Sequence, residues 1–141
     1  MKNNKGFSLV ELIIVIAIMA ILVGVMAPQL IKYIEKTNVS SDIQLCDSVR
    51  TAIMTAALDP DCVKAGEALN SGNGQTIAGA VPGTSMQSCI VETLGCPLSS
   101  VDGKIKSKAG KAVGSVSVDV VNSNTVTVYI DKSAGIQSGD W

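Results

Sequence analysis

The side chains in this sequence that could do chemistry are few. The 141 residues contain no histidine, which removes Ser-His-Asp and Cys-His nucleophilic catalysis and all His-ligated metal sites. No two carboxylates have a spacing that assigns one as general acid and the other as general base. Gly72 and Gly74 lack the Gly-Lys-Ser continuation of a phosphate loop and read as a turn. Three sets of groups are left. Glu11 stands at the head of an apolar run, Cys46, Cys62, Cys89 and Cys96 form an even set, and Lys104, Lys106, Lys108 and Lys111 cluster. A carboxylate in an apolar setting needs a cation, even-numbered cysteines offer crosslinks, and clustered lysines offer an anion-binding patch. No cofactor and no metal is expected.

The element that positions Glu11 runs from Phe7 to Ala27, with Glu11 its one charge and Lys2 and Lys5 before it. As a helix it spans about 30 Å at about 1.5 Å per residue, the hydrocarbon thickness of a bilayer. The flanking lysines keep the N-terminal end cytoplasmic. As a cleavable secretory signal it would be cut after Val25-Met26-Ala27, leaving Pro28 as first residue, where a signal peptidase is expected to fail. As a plain anchor it leaves Glu11 unexplained, because a carboxylate in a spanning helix costs about 2.5–3.5 kcal/mol.

Gly6-Phe7-Ser8-Leu9-Val10-Glu11 followed by this helix resembles the processing motif of type IV prepilins, type II secretion pseudopilins and competence pilins. The resemblance implies cleavage between Gly6 and Phe7 by a membrane aspartic prepilin peptidase, and N-methylation of the new Phe7 amine. It implies that Glu11 neutralises the Phe7 amine of a neighbouring subunit inside an apolar filament core. It divides the chain into a leader, 1–6, a transmembrane and assembly half of the helix, 7–28, and a head, 29–141, that includes the helix's amphipathic half. The implied fold is α+β, a long N-terminal helix packed on a small antiparallel sheet with short helices between. The implied role is a non-enzymatic structural subunit, the major pilin of a type IV pilus serving adhesion, motility or DNA uptake. Its partners would be further copies in a helical filament, the peptidase, an assembly ATPase, a platform membrane protein, the membrane before assembly, and a surface or DNA ligand. A pseudopilin or a minor pilin is the alternative. A membrane-anchored monomeric binding module would instead show no processing at Gly6 and indifference to Glu11.

Gly24 and Pro28 mark the place where a kink or local melting is expected, since proline removes a backbone bond and crowds the preceding turn. Beyond it the pattern turns amphipathic. Ile43, Cys46, Val49, Ile53, Ala56 and Ala57 recur at helical spacings, with Lys32, Glu35, Lys36, Asp42, Asp47 and Arg50 at other positions. One helix from Phe7 to Leu58 is expected, about 75 Å long. Asp59 and Pro60 read as the N-cap and first position of a shorter helix to Leu69, and Asn70–Gly74 as a turn. Thr84-Ser85-Met86-Gln87 fits a capping box opening a helix to Leu94, stopped by Gly95. Val116, Val118 and Val120, then Val126, Val128 and Ile130, alternate with polar residues around the turn Asn122-Ser123-Asn124, which reads as a hairpin packed on the helix. Lys104 to Lys108 reads as a third strand.

The cysteines lie in the part expected to face an oxidising exterior and lack a paired Cys-x-x-Cys, so two disulfides are expected. With Cys62 placed far from Cys46, Cys46 should bond Cys89 or Cys96. The lysine cluster reads either as a patch for DNA, an anionic surface or an acidic face of an adjacent subunit, or as a solvated strand edge. The tail Asp131–Asp140 has oxygen donors without the spacing of a known calcium loop.

Overall fold

The computed structural model describes residues 6–139. Two compact units divide the chain, one ending at Glu35 and the other beginning at Lys36. Helix α1 (Leu9–Leu58) starts in the first and ends in the second. In the first unit every described residue up to Ile34 is exposed, including a near-continuous run of Ile, Leu, Val and Met. α1 is long and apolar enough to cross a membrane, and its unburied apolar side chains suit an environment other than water.

In the second unit α1 becomes one wall of a core. Cys46, Val49, Ile53 and Ala56 are buried on it at spacings of three and four residues, with Ala52 buried beside them. The opposite wall is a four-stranded antiparallel sheet in sequential order, β1 (Gly72–Gln75), β2 (Ser117–Val121), β3 (Thr125–Asp131) and β4 (Ile136–Gln137). Val118 pairs with Val128 and Val120 with Val126, so the two apolar rows share a face. All four, with Ile130 and Ile136, join the α1 residues in a single hydrophobic cluster. Asn122 and Ser123 both take positive φ, +53° and +56°, as the tight twist of this hairpin requires. The expected hairpin and its packing on the helix are therefore present.

Helix α3 (Thr84–Leu94) closes the core with Met86 and Ile90, and Gly95 caps its end in the left-handed region. Its start differs from the expected capping box. Gly83 is the N-cap, and the Gln87 side chain donates to the carbonyls of Ala78 and Val81 instead of reaching back along α3. That ties α3 to the short helix α2 (Ile77–Ala80).

Three expectations about the connecting segments are corrected. The short helix expected from Asp59 to Leu69 does not form: the Asp59 carbonyl accepts from the Cys62 and Val63 amides for one turn, and Gly66 then takes φ +90°, which ends helical geometry. Gly72–Gln75 is not a turn but the edge strand β1, held to β2 at Gly72–Val120 and Gln75–Val118. Lys104–Lys108 is not a strand. A 3₁₀ turn (Asp102–Lys104) leads to helix α4 (Lys108–Val113), whose N-cap is Ser107.

Candidate functional site

The N-terminal segment carries the first candidate site. Gly6 has open space around its α-carbon, and Phe7 is 91% exposed, so the Gly6–Phe7 bond stands clear. The Glu11 carboxylate accepts the Ser8 N–H at 2.8 Å, while the Ser8 carbonyl accepts the Leu12 N–H at 3.2 Å. This is the reach-back half of a capping box, with Ser8 at the N-cap and Glu11 three residues on. The signal was in the sequence as Ser-x-x-Glu. Glu11 thus has a local partner at the positive end of α1.

At the expected kink α1 stays helical from Gly24 through Pro28. Proline has no N–H, so the Gly24 carbonyl four residues earlier lacks its helical donor. Nothing lies within 4 Å of a Cβ built on Gly24. The two residues form one weak turn without a break in the helix.

The cysteines do not form the expected frame of two bonds. Cys62 bonds Cys89 across a sequence separation of 27, tying the segment after α1 to α3. Cys46 and Cys96 are free thiols. Cys46 is wholly inside the core on α1, and burial, with the charges of Asp47 and Asp42, pushes its thiol up to about 12. A thiol held protonated in an apolar setting is a packing side chain and a poor nucleophile.

Asp42, expected among the charged positions off the apolar face, is wholly buried. Its carboxylate accepts the Lys106 N–H at 2.8 Å and the Ser107 N–H at 2.9 Å. The Ser107 hydroxyl accepts the Gly110 N–H at 2.9 Å. A Cβ on Gly110 would come within 2.8 Å of both the Asp42 and the Ser107 side-chain oxygens, so the glycine permits the close approach. Asp42 therefore fixes the lysine segment against α1. Lys104, Lys106 and Lys111 line an open groove of about 580 Å³ with Ser41, Gln44 and Ser48 of α1. The strand-edge reading of this cluster is overturned, because the amides that a strand would use are spent on Asp42.

On the sheet's other face Asp119 is nearly buried. It accepts the Gly74 N–H at 2.6 Å and pairs with the Lys132 ammonium. The Lys132 ammonium also lies 4.2 Å from the centre of the Tyr129 ring. Burial raises the Asp119 carboxyl, but the bonds from Lys132 and Gly74 outweigh it and hold the group below its ordinary value. The bond to Asp119 raises Lys132, and burial with the Asp119 charge raises Tyr129. The cluster ties three strands together.

Among the described residues no group of three or more His, Cys, Asp or Glu side chains could hold a metal ion. Asp131 accepts the amides of Ser133 and Ala134 to form its own turn, and Asp140 lies outside the described residues.

Residues 1–27 match the family described as a prokaryotic N-terminal methylation motif. The chain is 30% identical to the type IV major fimbrial protein FimA of Dichelobacter nodosus over 149 residues, covering 95% of this chain and 90% of the relative. It is 39% identical to a fimbrial protein of Moraxella nonliquefaciens over 67 residues, 48% of this chain and 44% of that one. It is likewise 39% identical to a fimbrial protein of Pseudomonas aeruginosa over 59 residues, 42% and 38% of the two chains. No solved structure matches the chain.

Proposed function

This chain belongs to the type IV pilin family, and from that we propose that it is the structural subunit of a type IV pilus, cut between Gly6 and Phe7 and methylated on the new Phe7 amine. The observation that carries the reading is the exposed apolar half of α1 with one carboxylate near its start. A helix of this kind is stored in a bilayer, N-terminus cytoplasmic, and then packs among identical helices in a filament outside the cell.

The energetics give Glu11 its role. Lipid and neighbouring helices are similarly apolar, so moving the helix from bilayer to filament gains little from the hydrophobic effect. A charge pair decides instead. Glu11 unpaired in the bilayer costs about 2.5–3.5 kcal/mol, and pairing with a Phe7 ammonium at about 4 Å recovers on the order of 4 kcal/mol at an effective dielectric constant of about 20. In the filament, a neighbour at the right axial offset brings its ammonium to Glu11, so the pair favours one register. The Gly24–Pro28 turn, already short of one hydrogen bond, is where the helix unwinds to fit the packed core.

A prepilin peptidase, an assembly ATPase and a platform membrane protein are the machinery this reading requires. Among the uses of such a filament, adhesion, motility and DNA uptake, no residue on the head selects one. The relative matched over most of this chain, FimA of Dichelobacter nodosus, is a type IV major fimbrial protein, which favours a pilus over a secretion pseudopilin or a minor pilin. Electron microscopy of material sheared from cells tests this. Long fibres labelled along their length by antibody to this chain are expected. Labelling confined to tips or to short cell-bound stubs would contradict the major-subunit role.

A further inference from the structure

We propose that the lysine groove is a docking site for the acidic end of a neighbouring copy of this chain, an inference that rests on the filament reading above. Ser41, Gln44, Ser48, Thr51, Thr55 and Asp59 recur every three or four residues and form one polar stripe along the helix, continued past α1 by the Asp59 N–H bonded to the Thr55 carbonyl. Gln44, Ser48, Thr51 and Thr55 are exposed, and Ser41 and Asp59 half-exposed.

The stripe has a positive end and a negative end. At Ser41–Ser48 it is flanked by Lys104, Lys106 and Lys111 in the groove of about 580 Å³. At Thr55–Asp59 it is flanked by Glu92 and Thr93 in a second groove of about 300 Å³ beside the Cys62–Cys89 bond, with Asp59 itself lining it. Among the described residues no carboxylate lies within ion-pair distance of Lys104, Lys106 or Lys111, nor a cation within that distance of Asp59 or Glu92. Gln44 and Asp59 are separated by about 22 Å along the axis, at about 1.5 Å per residue. Ser48 and Thr55, seven residues apart, lie nearly in line along one side of it.

Opposite charges offset along one side of a helix cannot meet within a subunit. They meet between two parallel subunits displaced along the axis, and because the patches differ, the contact is heterologous and propagates as an open helical array. A polyanion is the weaker occupant. The chain is net negative at −1, and the groove offers no aromatic ring for a base to stack on.

The test uses filaments sheared from cells making the full chain. A zero-length carbodiimide joins amines to carboxylates in contact, and mass spectrometry should find links from Lys104, Lys106 or Lys111 to Asp59 or Glu92 in multimers. The triple reversal K104E/K106E/K111E should lower filament yield about tenfold, the effect of losing a few modest ion pairs. Adding D59K and E92K should restore the yield. Asp59 also accepts the Asp61 N–H, so the restoration is repeated with E92K alone. Wild-type filaments without these links, or a triple reversal with wild-type yield, overturn the contact. So does a triple reversal that loses filaments, keeps the Cys62–Cys89 bond and is not restored by either partner reversal. A triple reversal that keeps its filaments and loses only capture of a double-stranded DNA fragment overturns it too and assigns the groove to a polyanion. Absence of filaments from the wild-type chain is a different result, and it defeats the filament reading itself.

Discussion

The Asp42 carboxylate on α1 accepts the Ser107 backbone N–H at 2.9 Å, a bond between two residues that are both wholly buried and 65 residues apart in sequence. With the Lys106 N–H it closes the lysine segment onto the helix. Replacing Asp42 by Ala strands two amides, each costing about 1–3 kcal/mol. Urea unfolding should show Asp42→Ala destabilised by about 2–6 kcal/mol, and Asp42→Asn, which keeps one acceptor, by less. An unaffected Asp42→Ala would mean the segment is not held there.

The Cys62–Cys89 bond closes a loop of 27 residues, for which chain entropy gives about 3.5 kcal/mol of stabilisation. Reduction should lower stability by about that amount. Alkylation of the native protein should label Cys96, leave Cys46 untouched at neutral pH because it is buried and burial pushes its thiol up to about 12, and label Cys46 after unfolding. Peptide mapping that found Cys46 bonded to Cys96 would contradict the free-thiol assignment.

The Asp119 carboxyl is held below its ordinary value, so the folded state favours its ionised form. Its contribution to stability is present above the unfolded value of about 4 and is lost as pH falls through the lower folded one. Lys132 is shifted upward, so its contribution is present below its ordinary value and is lost as pH rises through the raised one. Melting temperatures of wild type and Asp119→Asn should differ at neutral pH and converge in strong acid. A gap that persists in strong acid would rule out the ionised pair as its source.

Glu11 caps the start of α1, and its proposed charge pairing in the filament is separable from that. Glu11→Gln keeps an oxygen for the Ser8 amide and loses the charge, so cleavage at Gly6 should continue while filaments disappear. Replacing Ser8 by Pro removes the capped N–H and leaves the Glu11 charge, costing about 1 kcal/mol at the helix start. Filament counts by electron microscopy, beside the N-terminal sequence, separate the two. Normal filaments from Glu11→Gln would end the charge-pairing account.

Much of this was legible from periodicity. Val116–Val120 and Val126–Ile130 alternate because one face is buried, and Cys46, Val49, Ile53 and Ala56 mark the helix face that covers them. Asp42 was misread by residue type although its position was readable: 42, 46, 49, 53 and 56 form one row at spacings of four and three. A polar residue in that row signals a buried partner rather than solvent. β1 was illegible because Gly72-Asn73-Gly74-Gln75 has no strand-forming residue, and the strand exists through pairing with β2 and the Asp119–Gly74 bond. The lysine segment carried alternating character without the ladder, because its amides go to Asp42. The N-terminal motif was legible as chemistry, but its Ser8–Glu11 cap is a local geometry that the resemblance does not state.

In the proposed filament Phe7 is the first residue of each subunit. The most direct measurement is intact-mass and N-terminal peptide mass spectrometry of protein sheared from the cell surface. A chain beginning at Phe7 and about 14 Da heavier than the unmodified sequence from Phe7 onward, for one methyl group on its amine, is expected. A chain that begins at Met1 and stays in the membrane fraction would contradict it.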